Sequence, residues 1–272
     1  MEKPVESRTG GMVAQITLTM TNGTKRPWLY FSLIVFLLTG APEIQARRLK
    51  LMTYNIHHAE GMDKKYAPER IAQIISQEAP DVVALQEVDS ATQRVGGRYA
   101  ASEIAQSIGM QDIYAGAIPF QGGKYGIALL SRKTPKEVKR IALPGREEKR
   151  ALLVADFGPY VVCCAHLSLT AEDRILSIPL IRKALRKYRR KPIFIMGDFN
   201  AEPDSEFMQQ MGKHFQVLSS TSTPTFPYSN PREVIDYVIT RKGTNQPHAT
   251  RSHVVTGNLS SDHCPLMVEV EY

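Results

Sequence analysis

The sequence predicts one mixed α/β domain with more than one sheet, preceded by an export signal, and three observations carry that reading. The chain has 272 residues and 43% of them are hydrophobic, enough to bury a large core. Apolar runs bounded by turn residues alternate with segments of helical period, and the strand-like runs outnumber the helical ones. Near the amino terminus stands an apolar run, WLYFSLIVFLL at residues 28–38, directly after Lys25, Arg26 and Pro27. That run is well short of the roughly 18 residues of a spanning helix, and its basic start fits a signal peptide. Residues 1–46 are therefore expected to be a signal segment, with translation starting at Met20 and cleavage near Ala46. Residues 47–272 form the domain. The protein is expected in the periplasm or secreted, or tethered to the membrane if the signal stays uncleaved.

The elements follow in order. Residues 49–55 and 81–88 are predominantly apolar and look like buried strands, and between them Ile71, Ile74 and Ile75 recur at helical spacing after Pro68, a favourable first-turn residue. Residues 103–109 suggest a second helix. Residues 126–131, 137–143, 151–157 and 160–167 read as strands, the last two joined by the Gly158-Pro159 turn. Thr170 and Asp173 open a helix carrying Ile175, Ile178, Ile181 and Leu185, which Pro179 is expected to kink and Lys191-Pro192 to end. Residues 193–196, 234–240, 253–256 and 266–270 supply the remaining strands. No repeat or low-complexity stretch interrupts them.

Lys and Arg number 34 against 27 Asp and Glu, a net charge of +7, which admits an anionic substrate without demanding one. Seven of the positive charges fall in residues 182–191, so the rest of the domain is close to balance. The plain reading of that cluster is a solvated helix end favoured by the dipole, with contact to an anionic surface as the alternative. Either way, the chain is poorly provided for tracking a long polyanion. Cys163, Cys164 and Cys264 are too few for a disulfide framework and lack zinc-site spacing, so buried thiols are expected over a Cys164–Cys264 bridge.

Polar residues of catalytic type stand at strand ends. Asn55 closes the first strand, Glu87 the second, His166 the strand after the Gly158-Pro159 turn, and Asp198 and Asn200 the run IFIMGDFN. Asp236 lies within VIDYVI, and Asp262 and His263 precede the last strand. Taken singly, Glu87 reads as a solvated carboxylate, Asp236 as a buried hydrogen-bonder, and His166 and His263 as packed histidines. Together, one shared site is the simplest account.

These residues fall in motifs that resemble the endonuclease/exonuclease/phosphatase superfamily, whose fold is that of deoxyribonuclease I. MTYNIHH, ALQEVD, YGIALLSR, AHLSL, GDFNAEP, VIDYVI and SDHCPL occur in the family's order over nearly all of residues 49–272. The resemblance implies a four-layered α/β/β/α sandwich and metal-dependent hydrolysis of phosphoesters. It implies that Glu87 is the central metal ligand, with Asp262 and the Asn55 amide nearby. Hard oxygen ligands of this kind suit Mg²⁺ or Mn²⁺. It further implies that Asp236 orients His263 toward the phosphate or the attacking water, and that Asp198 and Asn200 position and activate that water. His166 becomes an acid at the leaving oxygen or a phosphate contact, and Arg150 a cationic clamp.

The sequence also departs from the family pattern. His57 stands where some family nucleases carry a metal-binding Asp, which leaves His57 and His58 to touch substrate or to lie in the loop. VIDYVI lacks the Trp-Cys-Asp-Arg type of pattern of inositol polyphosphate 5-phosphatases. The long loop 219–231, just before Asp236, offers Phe226 or Tyr228 as substrate contacts, with core anchoring of Phe226 as the alternative. The expected partner is a phosphoester: a phospholipid headgroup, a small phosphodiester or a nucleic acid. No protein partner is implied and a monomer is expected. A secreted nuclease on DNA or RNA is the alternative activity, and a non-catalytic binding module on the same scaffold is the lesser one.

Overall fold

The computed structural model describes residues 46–243 and 246–272. The expected signal run, residues 28–38, and the Met20 start lie outside the described residues. In chain order the elements are β1 (Arg48–Asn55), α1 (Pro68–Glu78), β2 (Val82–Ser90), α2 (Ala100–Ser107), β3 (Gln111–Phe120) and β4 (Gly123–Ser131). There follow β5 (Glu137–Leu143), β6 (Arg150–Asp156), β7 (Val161–His166), α3 (Ala171–Leu185) and β8 (Ile193–Asp198). The chain closes with α4 (Glu206–Gly212), β9 (Phe215–Val217), β10 (Asp236–Arg241), β11 (His248–Val254) and β12 (Leu266–Glu271).

The strands form two six-stranded sheets, ordered β11-β12-β1-β2-β4-β3 and β5-β6-β7-β8-β10-β9. Successive side chains point to opposite faces of a strand, so neighbours in one strand feed different cores. Leu51 and Val162 join the core between the sheets, together with Leu129, Leu153, Met196 and Val238. Met52 packs outward with Val83 and Leu85 against Ile71, Ile75 and Ile104 of the first two helices. Cys163 and Ile195 face outward on the other sheet, against Ile178, Ile181, Phe207 and Met211. Three apolar layers between four layers of secondary structure make the α/β/β/α sandwich of deoxyribonuclease I type. Burial on both faces is why the central strands read as continuous apolar runs. All three cysteines are buried and free.

Pairing direction sets up the working end of the sandwich. β7 and β8 run parallel while β10 runs antiparallel to β8, so Asp236, His166 and Asp198 share one cross-strand row: Asp236 opposes Asp198, and Asp198 opposes His166. Directly opposed residues present side chains on the same face. Asp236 therefore begins its strand rather than lying inside it. The glycine of GDFN serves this row. Gly197 opposes Ala165, and a Cβ on it would stand 1.9 Å from the Ala165 carbonyl oxygen. Gly197→Ala should cost about 3 kcal/mol. The drop in Tm, roughly 6–12 °C, is measurable by calorimetry; an unchanged Tm would show that the two backbones can part.

Several elements depart from expectation. β3 has no clean alternation because Gly116 and Pro119 interrupt it and its register shifts between Gly116 and Ile118. It is a strand because β4 pairs with it. α4 and β9 are too short for a periodicity window, although Ser205 caps α4 by accepting from the Met208 N–H. α3 is a single helix through Pro179, held by its buried Ile178, Ile181 and Leu185. Thr170 makes no side-chain cap, and its hydroxyl donates instead to Glu147. Asp173 is taken by the backbone and guanidinium of Arg146 at 2.7 and 3.1 Å.

Candidate active site

Strand ends of both sheets meet around a cavity of about 430 Å³ whose walls include Glu87, Arg150, His166, Asp198, Asn200, Asp262 and His263. The cross-strand row supplies one side. Asp236 accepts from His263 Nδ1 at 2.9 Å, leaving His263 Nε2 3.7 Å from Asp198 Oδ2. His166 Nε2 stands 3.6 Å from the same Asp198 oxygen. The Asn200 N–H donates to Asp198 Oδ1 at 2.9 Å, and its side-chain amide donates to the Leu167 carbonyl at 3.0 Å. Asn200 is thereby tied between two strand ends, in a left-handed conformation with φ of 49°.

Glu87 arrives by a different device. The register of β2 against β4 shifts between Leu85 and Val88, and Glu87 adopts φ of 56°. A bulge of this kind re-aims a side chain out of the regular alternation. Glu87 then lines the cavity while Gln86 stays fully buried and donates to Cys164. The Asn55 amide nitrogen donates to Glu87 Oε1 and to Asp198 Oδ2, each at 3.1 Å, so Asn55 braces the two sheets across the site. Its carbonyl oxygen accepts from the His57 N–H at 3.2 Å. Asn55, expected beside the metal, thus stands next to Glu87 with its amide nitrogen turned toward the carboxylates.

Arg150 is buried and held by carboxylates, 3.3 Å from Glu147 and 3.1 Å from Glu148, while its Nη1 lies 3.2 Å from the His166 ring nitrogens. Glu147 also accepts from the Ser168 hydroxyl and the Leu169 N–H. These contacts hold Glu147 down to about 2 against the cost of burial. Burial, then the Arg150 charge, push His166 well below the ordinary histidine value. A neutral imidazole in this position suits a phosphate contact, one of the two roles expected of His166.

His263 is shifted the other way. Burial alone would lower it, but the charge and hydrogen bond of Asp236, then Asp198 and Asp262, raise it to about 10. Asp198 is itself pushed above the ordinary carboxylate range by burial and by Asp236. The pH dependence of folding follows from these shifts. His58 and His166, lowered in the fold, contribute stability that is complete above about 6.5 and is lost as pH falls toward about 4, the His58 value. His263, raised in the fold, contributes stability that is complete below about 6.5 and is lost as pH rises through about 10. Calorimetry of chelator-treated protein should give a Tm that falls on both sides, and His263→Ala should flatten the alkaline limb. An alkaline limb unchanged in that variant would refute the assignment.

Among the described residues, two groups of side chains have metal-ligating atoms within 4.8 Å of one another: His57, His58 and Glu87, and Asp198, Asp236 and His263. In the second, the donors are already engaged with each other and with Asn55 and Asn200. In the first, His58 is held neutral, lowered to about 4 by burial and by Arg94, and its buried Nδ1 has no hydrogen-bond partner. A neutral His58 imidazole with an unpartnered nitrogen, beside Glu87, fits a divalent cation. His57, expected at the substrate, sits in this group with its Nδ1 on the Glu60 carbonyl at 3.1 Å, and it is not among the cavity walls. Asp262 lines the cavity but belongs to neither group.

The sequence left His58 undecided and gave no signal for Glu147 and Glu148, which stand three and two residues before Arg150, or for Gln86, the neighbour of Glu87 in ALQEVD. Phe226 lies 4.7 Å, ring to ring, from His263 and lines the cavity, so it belongs to the site and not to the core.

A match to the Endonuclease/Exonuclease/phosphatase family covers residues 52–263. The chain is 27% identical over 170 residues to an exodeoxyribonuclease III of Haemophilus influenzae, 57% of this chain and 58% of that protein. Its fold is similar to an endonuclease/exonuclease/phosphatase of Beutenbergia cavernae, with a TM-score of 0.69, 23% identity and coverage of 83% of this chain and 72% of that one. It is also similar to a mannosyl-6-phosphatase of Bacteroides thetaiotaomicron, with a TM-score of 0.66, 17% identity and coverage of 82% and 100%. A family match over most of the chain, falling on the strand ends that build this cavity, shows that the protein belongs to the endonuclease/exonuclease/phosphatase family.

Proposed function

We propose that the protein is a divalent-metal-dependent phosphoester hydrolase that acts outside the cytoplasm, on a short or headgroup-like phosphodiester. The observation that carries this is the meeting of Glu87, Asp198 and His263 in one cavity beside a buried arginine, with Asp236 holding His263 from behind. Three carboxylates from separate strands and an imidazole from the loop before β12, two of the four with shifted proton affinities, suit an oriented water and an anionic phosphoryl group. The export part rests on the apolar run at residues 28–38. It predicts a mature amino terminus near Arg47.

Each side chain has a task in this reading. Glu87, with His57 and His58, would hold the cation, which when bound supplies charge neutralisation at the phosphoryl oxygens. Two imidazoles beside one carboxylate favour Mn²⁺ over Mg²⁺. Asp198 accepts the proton of the attacking water, since a carboxylate raised toward neutrality is a matched base. Asn200 fixes the Asp198 orientation through its N–H. His263, kept cationic by Asp236, meets a phosphoryl oxygen, and Arg150 and His166 meet another.

Hydrolysis of bis(p-nitrophenyl) phosphate with added Mn²⁺ or Mg²⁺ tests the activity, and no turnover with either ion would favour a binding module. A panel of plasmid DNA, RNA, sphingomyelin and inositol phosphates tests the substrate class. The relative named exodeoxyribonuclease III supports a nuclease as the second reading. A nuclease neutralising roughly 6–10 phosphates would lose about 10³-fold or more in kcat/KM on DNA between about 50 and 200 mM salt. The expected result is weak DNA cleavage without that steep dependence.

A further inference from the structure

Helix α3 has two unlike faces. Ser177, Ile178, Ile181 and Leu185 are buried, whereas Leu176 is 57% and Leu180 36% exposed. Leu176, Leu180, Lys183 and Lys187 are spaced four, three and four residues apart, so they form one line along the solvent side of the helix and its terminal turn. Leu169, 65% exposed, stands just before the helix and also forms part of the catalytic cavity wall. Of the five large hydrophobic side chains exposed among the described residues, three are therefore on this helix or its entry.

At the far end of the line the surface turns strongly cationic. Arg182, Lys183, Arg186, Arg189, Lys213 and Arg241 line a groove of about 550 Å³. Lys187 and Lys191 are paired with Glu137 and Asp156. Among the described residues, no carboxylate oxygen lies within 4.0 Å of Arg182, Lys183, Arg186, Arg189, Arg190 or Lys213. A helix dipole favours cations only in the last turn, and it does not account for Lys213 or for exposed leucines in the middle of the helix.

We propose that this face docks on an anionic lipid bilayer. The leucines enter the boundary between headgroups and acyl chains, the uncompensated cations meet lipid phosphates, and the cavity mouth at Leu169 is brought to the bilayer surface. A nucleic acid would engage the cations and leave the leucines in water. Docking does not depend on the hydrolytic chemistry, so its failure leaves the proposed activity standing.

Co-sedimentation of the full chain with vesicles of phosphatidylcholine, with or without roughly 30% phosphatidylglycerol, tests this in about 0.1 M salt. The chain should partition at least ~10-fold more strongly onto the anionic vesicles. Lys183→Glu with Arg186→Glu should cut that partition by about 20-fold or more, at about fivefold per cation removed. Leu176→Ser with Leu180→Ser should cut it by about 10-fold. Both variants are surface changes and should keep the wild-type Tm. Equal partition of wild-type and charge-reversed chains overturns the proposal. So does an unaffected leucine variant, and if duplex DNA then binds through Lys183 and Arg186 the face is a nucleic-acid surface.

Discussion

His263→Ala should lower kcat on a phosphodiester by at least ~100-fold with the fold retained. The imidazole contacts both buried aspartates of the row, Asp236 at 2.9 Å and Asp198 at 3.7 Å, and among the described residues no other basic side chain does so. Removing it takes away a charged contact to the phosphoryl oxygens and leaves two carboxylates facing the substrate. Asp236→Asn tests the positioning role separately. Its amide keeps the shape but loses the charge that holds His263 protonated, so the alkaline limb of kcat should move to lower pH. A folded His263→Ala enzyme with near-normal turnover, or an Asp236→Asn profile identical to wild type, would refute the assignment.

Chelation should abolish turnover, because an anionic phosphoester approaching Glu87, Asp198 and Asp262 without a cation meets only repulsion beyond Arg150 and His263. Readdition of Mn²⁺ should restore activity at lower concentration than Mg²⁺, by roughly 10-fold or more, because two of the three groups proposed to hold the cation are imidazoles. His58→Ala should narrow that difference, and Glu87→Gln should weaken Mn²⁺ binding itself, read by electron paramagnetic resonance without any substrate. Full activity after exhaustive chelation would remove the metal from the mechanism. Unchanged Mn²⁺ binding in Glu87→Gln would move the site elsewhere.

Much of the site was legible because its residues are placed by local pattern. A buried strand is a largely apolar run, and the polar residue that closes it is where the strand leaves the core; Asn55, His166 and Asp198 were read in that way. His263 followed from its place before the last strand. The residues that escaped are those whose position depends on a distant partner. Glu147 matters because Ser168, 21 residues away, closes onto it. His58 is aimed beside Glu87 by a turn of three consecutive left-handed residues, His57, His58 and Ala59. Phe226 reaches His263 from a loop whose length, but not whose course, is written in the chain.

What the sequence by itself determined is the set of elements with a clear period, the double burial of the central strands and the chemical identity of the site. Hydrophobic periodicity and turn chemistry act over a few residues, so they can be read a few residues at a time. Only the tertiary structure decided which strands pair, in which direction and register. Antiparallel pairing of β10 with β8 put Asp236 opposite Asp198, and the β2 bulge turned Glu87 into the cavity. It also placed the Asn55 amide between the carboxylates of Glu87 and Asp198, and gave His166 surroundings that lower its proton affinity and His263 surroundings that raise it. Those properties arise from partners up to about two hundred residues apart, such as Asn55 and His263, brought together by burying the two sheets on each other.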